Sequence, residues 1–164
     1  MYISVVGAAD CDERVYGIAR GVGREIARRG HVLVCGGLGG VMDAAARGAR
    51  EEGGVAVGIL PGPDRSGASE WLTISLPTDM GHARNALVAL AGDALVAVCG
   101  GYGTLSEIAF GLKMGKPVVG IETWALDAER GERHRMVVAL GPEDAVDRAE
   151  ELCRDPHARG SGVR

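Results

Sequence analysis

Short apolar runs alternate with longer amphipathic stretches along the whole chain, and this alternation predicts the elements. Residues 3–6 are a mostly β-branched run that stops at Gly7 and reads as a buried strand. Residues 12–29 carry Val15, Ile18, Ala19, Val22 and Ile26 on one helical face. A second strand over 32–35, an alanine-rich helix over 41–52 and a third strand over 55–60 follow, the last ended by Pro61-Gly62-Pro63. Residues 64–70 read as loop and 71–76 as a weakly alternating strand. The pattern then predicts a helix over 81–91, a strand over 94–98, a helix over 105–114 and a strand over 117–121. A short strand over 136–140 and a helix over 143–153, with Pro142 at its start, complete the series. The tail 156–164 reads as disordered.

Strands alternating with helices predict a parallel sheet covered on both faces. The strands are apolar throughout rather than every second residue, which agrees with burial on both sides. The expected fold is therefore α/β: a Rossmann-like, doubly wound, mainly parallel sheet of about 6–7 strands with helices on both faces. No boundary or repeat divides the chain, so residues 1–155 are expected to form one domain. Ligands of such sheets bind beyond the C-terminal strand ends. Three strand-to-helix turns there are glycine-rich: Gly7-Ala8, Gly36-Gly37-Leu38-Gly39-Gly40 and Gly100-Gly101-Tyr102-Gly103.

Composition sharpens this picture. The 164 residues include 27 glycines, about twice the usual share, clustered between apolar runs. The formal net charge is −4 and no basic stripe stands out, which argues against nucleic-acid binding. The four cysteines share no zinc-ligand or C-x-x-C spacing and fit free thiols in a reducing cytoplasm. The N-terminus lacks a secretory pattern, and no apolar run reaches membrane-spanning length. The expectation is a cytoplasmic protein with no membrane partner and no metal site.

The turn at 99–103 carries the strongest chemical signal. It follows a strand and opens a helix. Glycines let the backbone approach a ligand, and the helix N-terminal amides favour an anion. Walker A fails, because Gly115-Lys116 is followed by Pro117. The dinucleotide fingerprint fails at Ser106, where the third glycine would stand, although Glu122 lies near the position of the ribose-binding acid. The turn at 36–40, followed by Met42 and Asp43, is a second candidate cradle or a close helix–sheet contact. Arg84 falls near a helix start, where a cation opposes the dipole, and it reads either as the partner of an anion or carboxylate or as a solvated surface arginine. His82 and Asn85 flank it. Thr104-Leu105-Ser106-Glu107 has the form of a capping box, in which Glu107 bonds back to the Thr104 amide. The other reading turns the Glu107 carboxylate towards the ligand's sugar.

Three segments in order resemble the Lonely-guy superfamily, long labelled "possible lysine decarboxylase". They are Gly36-Gly37-Leu38-Gly39-Gly40-Val41-Met42, Gly81-His82-Ala83-Arg84-Asn85, and Cys99-Gly100-Gly101-Tyr102-Gly103-Thr104-Leu105-Ser106-Glu107. The enzymes of that superfamily cleave nucleoside 5′-monophosphates to base and ribose 5-phosphate. The resemblance makes Arg84 and Glu107 the catalytic pair of such an enzyme. Cys35, Gly81, Asn85, Cys99 and Ser106 depart from the enzymes' motifs. This form is similar to the short branch that includes molybdenum-cofactor carrier proteins, which bind a phosphorylated pterin.

The leading expectation is a binding protein for a phosphorylated nucleotide-like or molybdopterin-like molecule. The alternative is a nucleoside 5′-monophosphate phosphoribohydrolase. No cofactor is required in either case; the bound molecule is a nucleotide monophosphate or the molybdenum cofactor. The expected ligand and phosphate contacts are Gly7, Ala8, Gly36, Gly37, Gly39, Gly40, Met42, Asn85, Gly100, Gly101, Tyr102, Gly103 and Thr104. Loops such as 61–70 are expected to read the base or pterin. The resemblance also implies a homo-oligomer, a dimer or a tetramer.

Overall fold

The computed structural model describes residues 1–126 and 136–154. The expected tail at 156–164 lies outside the described residues. Seven strands form a single sheet: β1 (Tyr2–Gly7), β2 (Val32–Cys35), β3 (Ala56–Leu60), β4 (Ile74–Pro77), β5 (Ala94–Val98), β6 (Val118–Ile121) and β7 (Val137–Val138). The helices are α1 (Glu13–Arg28), α2 (Val41–Glu51), α3 (Asn85–Ala91), α4 (Tyr102–Lys113) and α5 (Pro142–Arg154).

The spatial order is β4-β3-β2-β1-β5-β6-β7, and every pairing is parallel. The chain winds outward from β1 through β2 and β3 to β4, then returns to pair β5 with the other side of β1. Right-handed crossovers running in opposite directions place their helices on opposite faces. One core joins α1, α2 and α5 to Ile3, Val5, Leu33, Val96 and Val119. The other joins α3 and α4 to Val6, Val34, Leu95, Ala97 and Val118. Neighbouring strand residues thus serve opposite cores, which is why the central strands are apolar at nearly every position.

Small residues let α1 and α2 meet backbone to backbone. A Cβ on Gly23 would lie 2.0 Å from the Ala45 carbonyl oxygen, and one on Gly48 would lie 1.9 Å from that of Arg20. At the rim of this contact Arg20, Arg24 and Arg47 converge on Glu51. The hydrogen bond from Arg20 leads the effects that hold the Glu51 carboxyl down to about 2.

Three predicted boundaries move. The strand expected at 71–76 is Ile74–Pro77, because Leu72 instead covers Gly58 and Gly37. The helix expected from 81 begins as a 3-10 turn, Gly81–Arg84, and becomes α-helical only at Asn85. The helix expected from 105 starts three residues earlier, at Tyr102. Its N-cap is Gly101, with extended backbone and no side-chain cap. Thr104 is thereby inside the helix, and the Thr104–Glu107 capping box does not form.

Candidate functional site

The winding reverses direction between β1 and β5, so a crevice opens at their C-terminal ends. Gly7 and Val98 are register partners there, and the turns that follow them diverge around a cavity of about 340 Å³. Its lining brings together four segments that are far apart in sequence. Gly7 and Ala8 come from the first turn, Met42 from the start of α2, Arg84 and Asn85 from the start of α3, and Gly101, Gly103, Thr104 and Glu107 from α4.

Nine expected site residues therefore line one cavity: Gly7, Ala8, Met42, Arg84, Asn85, Gly101, Gly103, Thr104 and Glu107. Gly36, Gly37, Gly39, Gly40, Gly100 and Tyr102 are not part of the lining. Gly36 acts one step back, because a Cβ there would sit 2.5 Å from Arg84 Nη1 and 2.6 Å from Nη2. Its bare backbone makes room for the guanidinium. Gly40, at φ 60°, lets the Val41 amide donate to the Ala8 carbonyl at 3.0 Å. Gly37 and Gly39 shape the same turn, and Gly100 packs against Thr104. Ala9 and Leu38 also line the cavity, though neither is among the contacts expected from the sequence, and His82 lines it from an exposed position. No residue of 61–70 reaches the lining. That loop is tied to α2, where Ser69 Oγ donates to Asp43 Oδ1 at 2.6 Å.

Arg84 is the centre of the charge arrangement. It stands at the N-cap of α3, where the dipole opposes a cation, and only 6% of it is exposed. Nη1 donates to Asn85 Oδ1 at 3.2 Å and lies 3.4 Å from Glu107 Oε1. Nε is buried and has no hydrogen-bond partner among the described residues. Burial lowers the Arg84 pKa, against the pull of Glu107. Burial also raises Glu107, to about 7, although Arg84 pulls it down. Asn85 Nδ2 donates to Ser106 Oγ, which donates to the Gly103 carbonyl at 2.6 Å. This chain of bonds ties the start of α3 to the first turn of α4.

The α4 N-terminus is left bare. It has no side-chain cap and no acidic residue in its first turn, and the Cβ directions of Gly101 and Gly103 open into free space. Its uncapped amides and the Arg84 guanidinium are the positive groups of the site. Beneath them, burial pushes the Cys35 thiol up to about 12, so it stays protonated. Among the described residues no group of three or more His, Cys, Asp or Glu side chains is placed to hold a metal. No helix among them is long and apolar enough to cross a membrane.

Sheet, switch point and bare helix start define a parallel α/β protein whose crevice lies beside its first strand. Residues 1–146 match the SLOG cluster4 family, and the chain belongs to it. An uncharacterized protein of Archaeoglobus fulgidus is 52% identical over 122 residues, covering 74% of this chain and 80% of the relative. The cytokinin riboside 5′-monophosphate phosphoribohydrolase of Rhodococcoides fascians is 42% identical over 95 residues, 55% of this chain but only 48% of the enzyme. Among solved structures, the molybdenum cofactor binding protein of Rippkaea orientalis superposes with a TM-score of 0.85 at 31% identity, covering 92% of this chain and 96% of that one. The molybdenum cofactor carrier protein of Chlamydomonas reinhardtii gives 0.83 at 34% identity, with 94% and 98% coverage.

Proposed function

We propose that this chain binds a phosphorylated small molecule, nucleotide-like or molybdopterin-like, and acts as a carrier rather than by turnover. One observation carries the reading: the buried Arg84 guanidinium, with an unpartnered Nε, shares a cavity with the bare N-terminus of α4. A phosphate there receives helix amides, each charge-assisted bond contributing roughly 1.5–3 kcal/mol. The solved structures named for binding or carrying the molybdenum cofactor support the carrier reading over nearly the full chain. AMP and ribose 5-phosphate are expected to raise the melting temperature of the wild-type chain. Arg84→Met, which keeps the volume but removes the cation, is expected to abolish that shift. A shift equal to the wild type's would exclude the site.

A second reading has its own support. Glu107, raised to about 7 by burial and set beside Arg84, has the protonation balance of a general acid–base at neutral pH. In that reading the chain is a phosphoribohydrolase, as the partial match to the cytokinin enzyme suggests. Incubation with AMP separates the two. Free base and ribose 5-phosphate, lost in Glu107→Gln with the fold intact, would establish turnover; AMP recovered whole favours the carrier.

We also propose a homo-oligomer, a dimer or a tetramer. Ile74 and Leu76 are exposed on edge strand β4, at one corner of the α3–α4 face of the sheet, and this apolar surface favours self-association.

A further inference from the structure

We propose that Tyr102 and Trp124 form an aromatic platform at the lip of the cavity, on which the planar heteroaromatic ring of the phosphorylated ligand stacks. The inference rests on the phosphate-site reading above and adds where the rest of the ligand goes. The chain has six aromatic residues, three Tyr, two Trp and one Phe, and two of them meet at this lip. Their ring centroids are 5.6 Å apart and tilted by 35°. Tyr102 is 82% exposed, and its ring meets that of Trp124. Trp124 is fixed in orientation, because its indole Nε1 donates to the Gly101 carbonyl at 3.1 Å. Gly101 is also part of the cavity lining, so the platform is bonded directly to a residue of the proposed phosphate site.

The backbone beneath supports a fixed lip. Cys99 and Glu122, at the ends of β5 and β6, both adopt positive φ of 47°. Thr123 Oγ1 donates to the Cys99 carbonyl, and Cys99 N donates to Ile121 O at 3.0 Å. These bonds hold the segment bearing Trp124 against the turn bearing Tyr102. On α4, positions 102 and 107 point about 140° apart. A ligand with its phosphate over the helix start therefore has two exits, one towards Glu107 and one over the lip. The exit over the lip offers two π faces, and it does not depend on the loop 61–70, which is tied elsewhere.

The test compares AMP, which carries a ring, with ribose 5-phosphate, which carries none. Trp71→Phe leaves Trp124 as the only tryptophan, so fluorescence reads the platform alone. The expected result is that AMP quenches Trp124 and ribose 5-phosphate does not. Trp124→Leu and Tyr102→Ser are each expected to weaken AMP about tenfold, as the loss of one stacking face does, with ribose 5-phosphate unchanged within about twofold. Tyr102→Phe is expected to keep wild-type affinity. Since Tyr102 is exposed, Tyr102→Ser keeps the test open if Trp124→Leu fails to fold. AMP binding that leaves Trp124 fluorescence and both variants' affinities unchanged overturns the platform while leaving the phosphate site standing. Binding of neither compound overturns the phosphate site itself. Fluorescence that follows protein concentration instead of AMP overturns the platform in favour of a contact between copies.

Discussion

Burial moves the proton affinities of Arg84 and Glu107 in the same sense that would discharge them, and Glu107 carries the measurable part. Its ordinary value is 4.5 and its folded value about 7, so over this window the native state binds more protons than the unfolded chain. Unfolding free energy therefore falls as pH rises from about 4.5 to about 7, by an amount on the order of 2 kcal/mol. Glu107→Gln removes this titration. The wild type is expected to lose stability relative to that variant across the window, as read by urea unfolding at each pH. A parallel pair of pH profiles would show that Glu107 is not desolvated. The carboxylate is thus held at a cost to the fold, as functional carboxylates commonly are. Arg84 and Glu107 were legible in the sequence from motif position. Ala9 and Leu38 were not, because a small or apolar side chain carries no chemical signal until the fold sets it against a cavity.

At the scale of elements, apolar periodicity located six of the strands and the helices α1, α2 and α5 within a residue or two. β4 and the starts of α3 and α4 escaped it. Periodicity does not foresee Leu72 turning aside to cover Gly58, and cap rules look for a side chain where α4 has the bare Gly101. The T-x-x-E pattern misled because it sits one turn inside a helix whose true start has no cap of its own. The α1–α2 contact yields a sharper expectation. Gly48→Ala gains about 1 kcal/mol of helix propensity but drives a Cβ to 1.9 Å from a carbonyl oxygen of α1. Overpacking of this kind costs about 1–3 kcal/mol, so a net loss in unfolding free energy is expected. Gly17→Ala, on the same pair of helices with nothing within 4 Å, is the control and is expected to gain stability.

For the whole molecule, the two faces of the sheet are unequally covered. Ile74 pairs with Val57 and Leu76 with Ile59, and both partners belong to the core on the α3–α4 side. No helix intervenes between β3 and β4, so this corner of that face is bare. If a second copy covers it, Ile74→Lys with Leu76→Lys is expected to reduce the mass measured by light scattering while leaving the circular dichroism of the monomer unit unchanged. A mass unaffected by the pair would place self-association elsewhere. The doubly wound fold was legible in the alternation of elements, but this uncovered corner was not. It follows from a connection that lacks a helix, and the sequence pattern at 61–73 only marked it as loop.

The cavity's position on the winding has a thermodynamic meaning. Its lining comes from two parts of the chain, residues 7–42 and 82–107, brought together where β1 and β5 pair across some ninety residues of sequence. Neither part holds the site alone. A ligand bound there behaves as a reversible cross-link between the two windings of the sheet: it binds only chains in which both are docked, and its binding free energy is added to the unfolding of the whole.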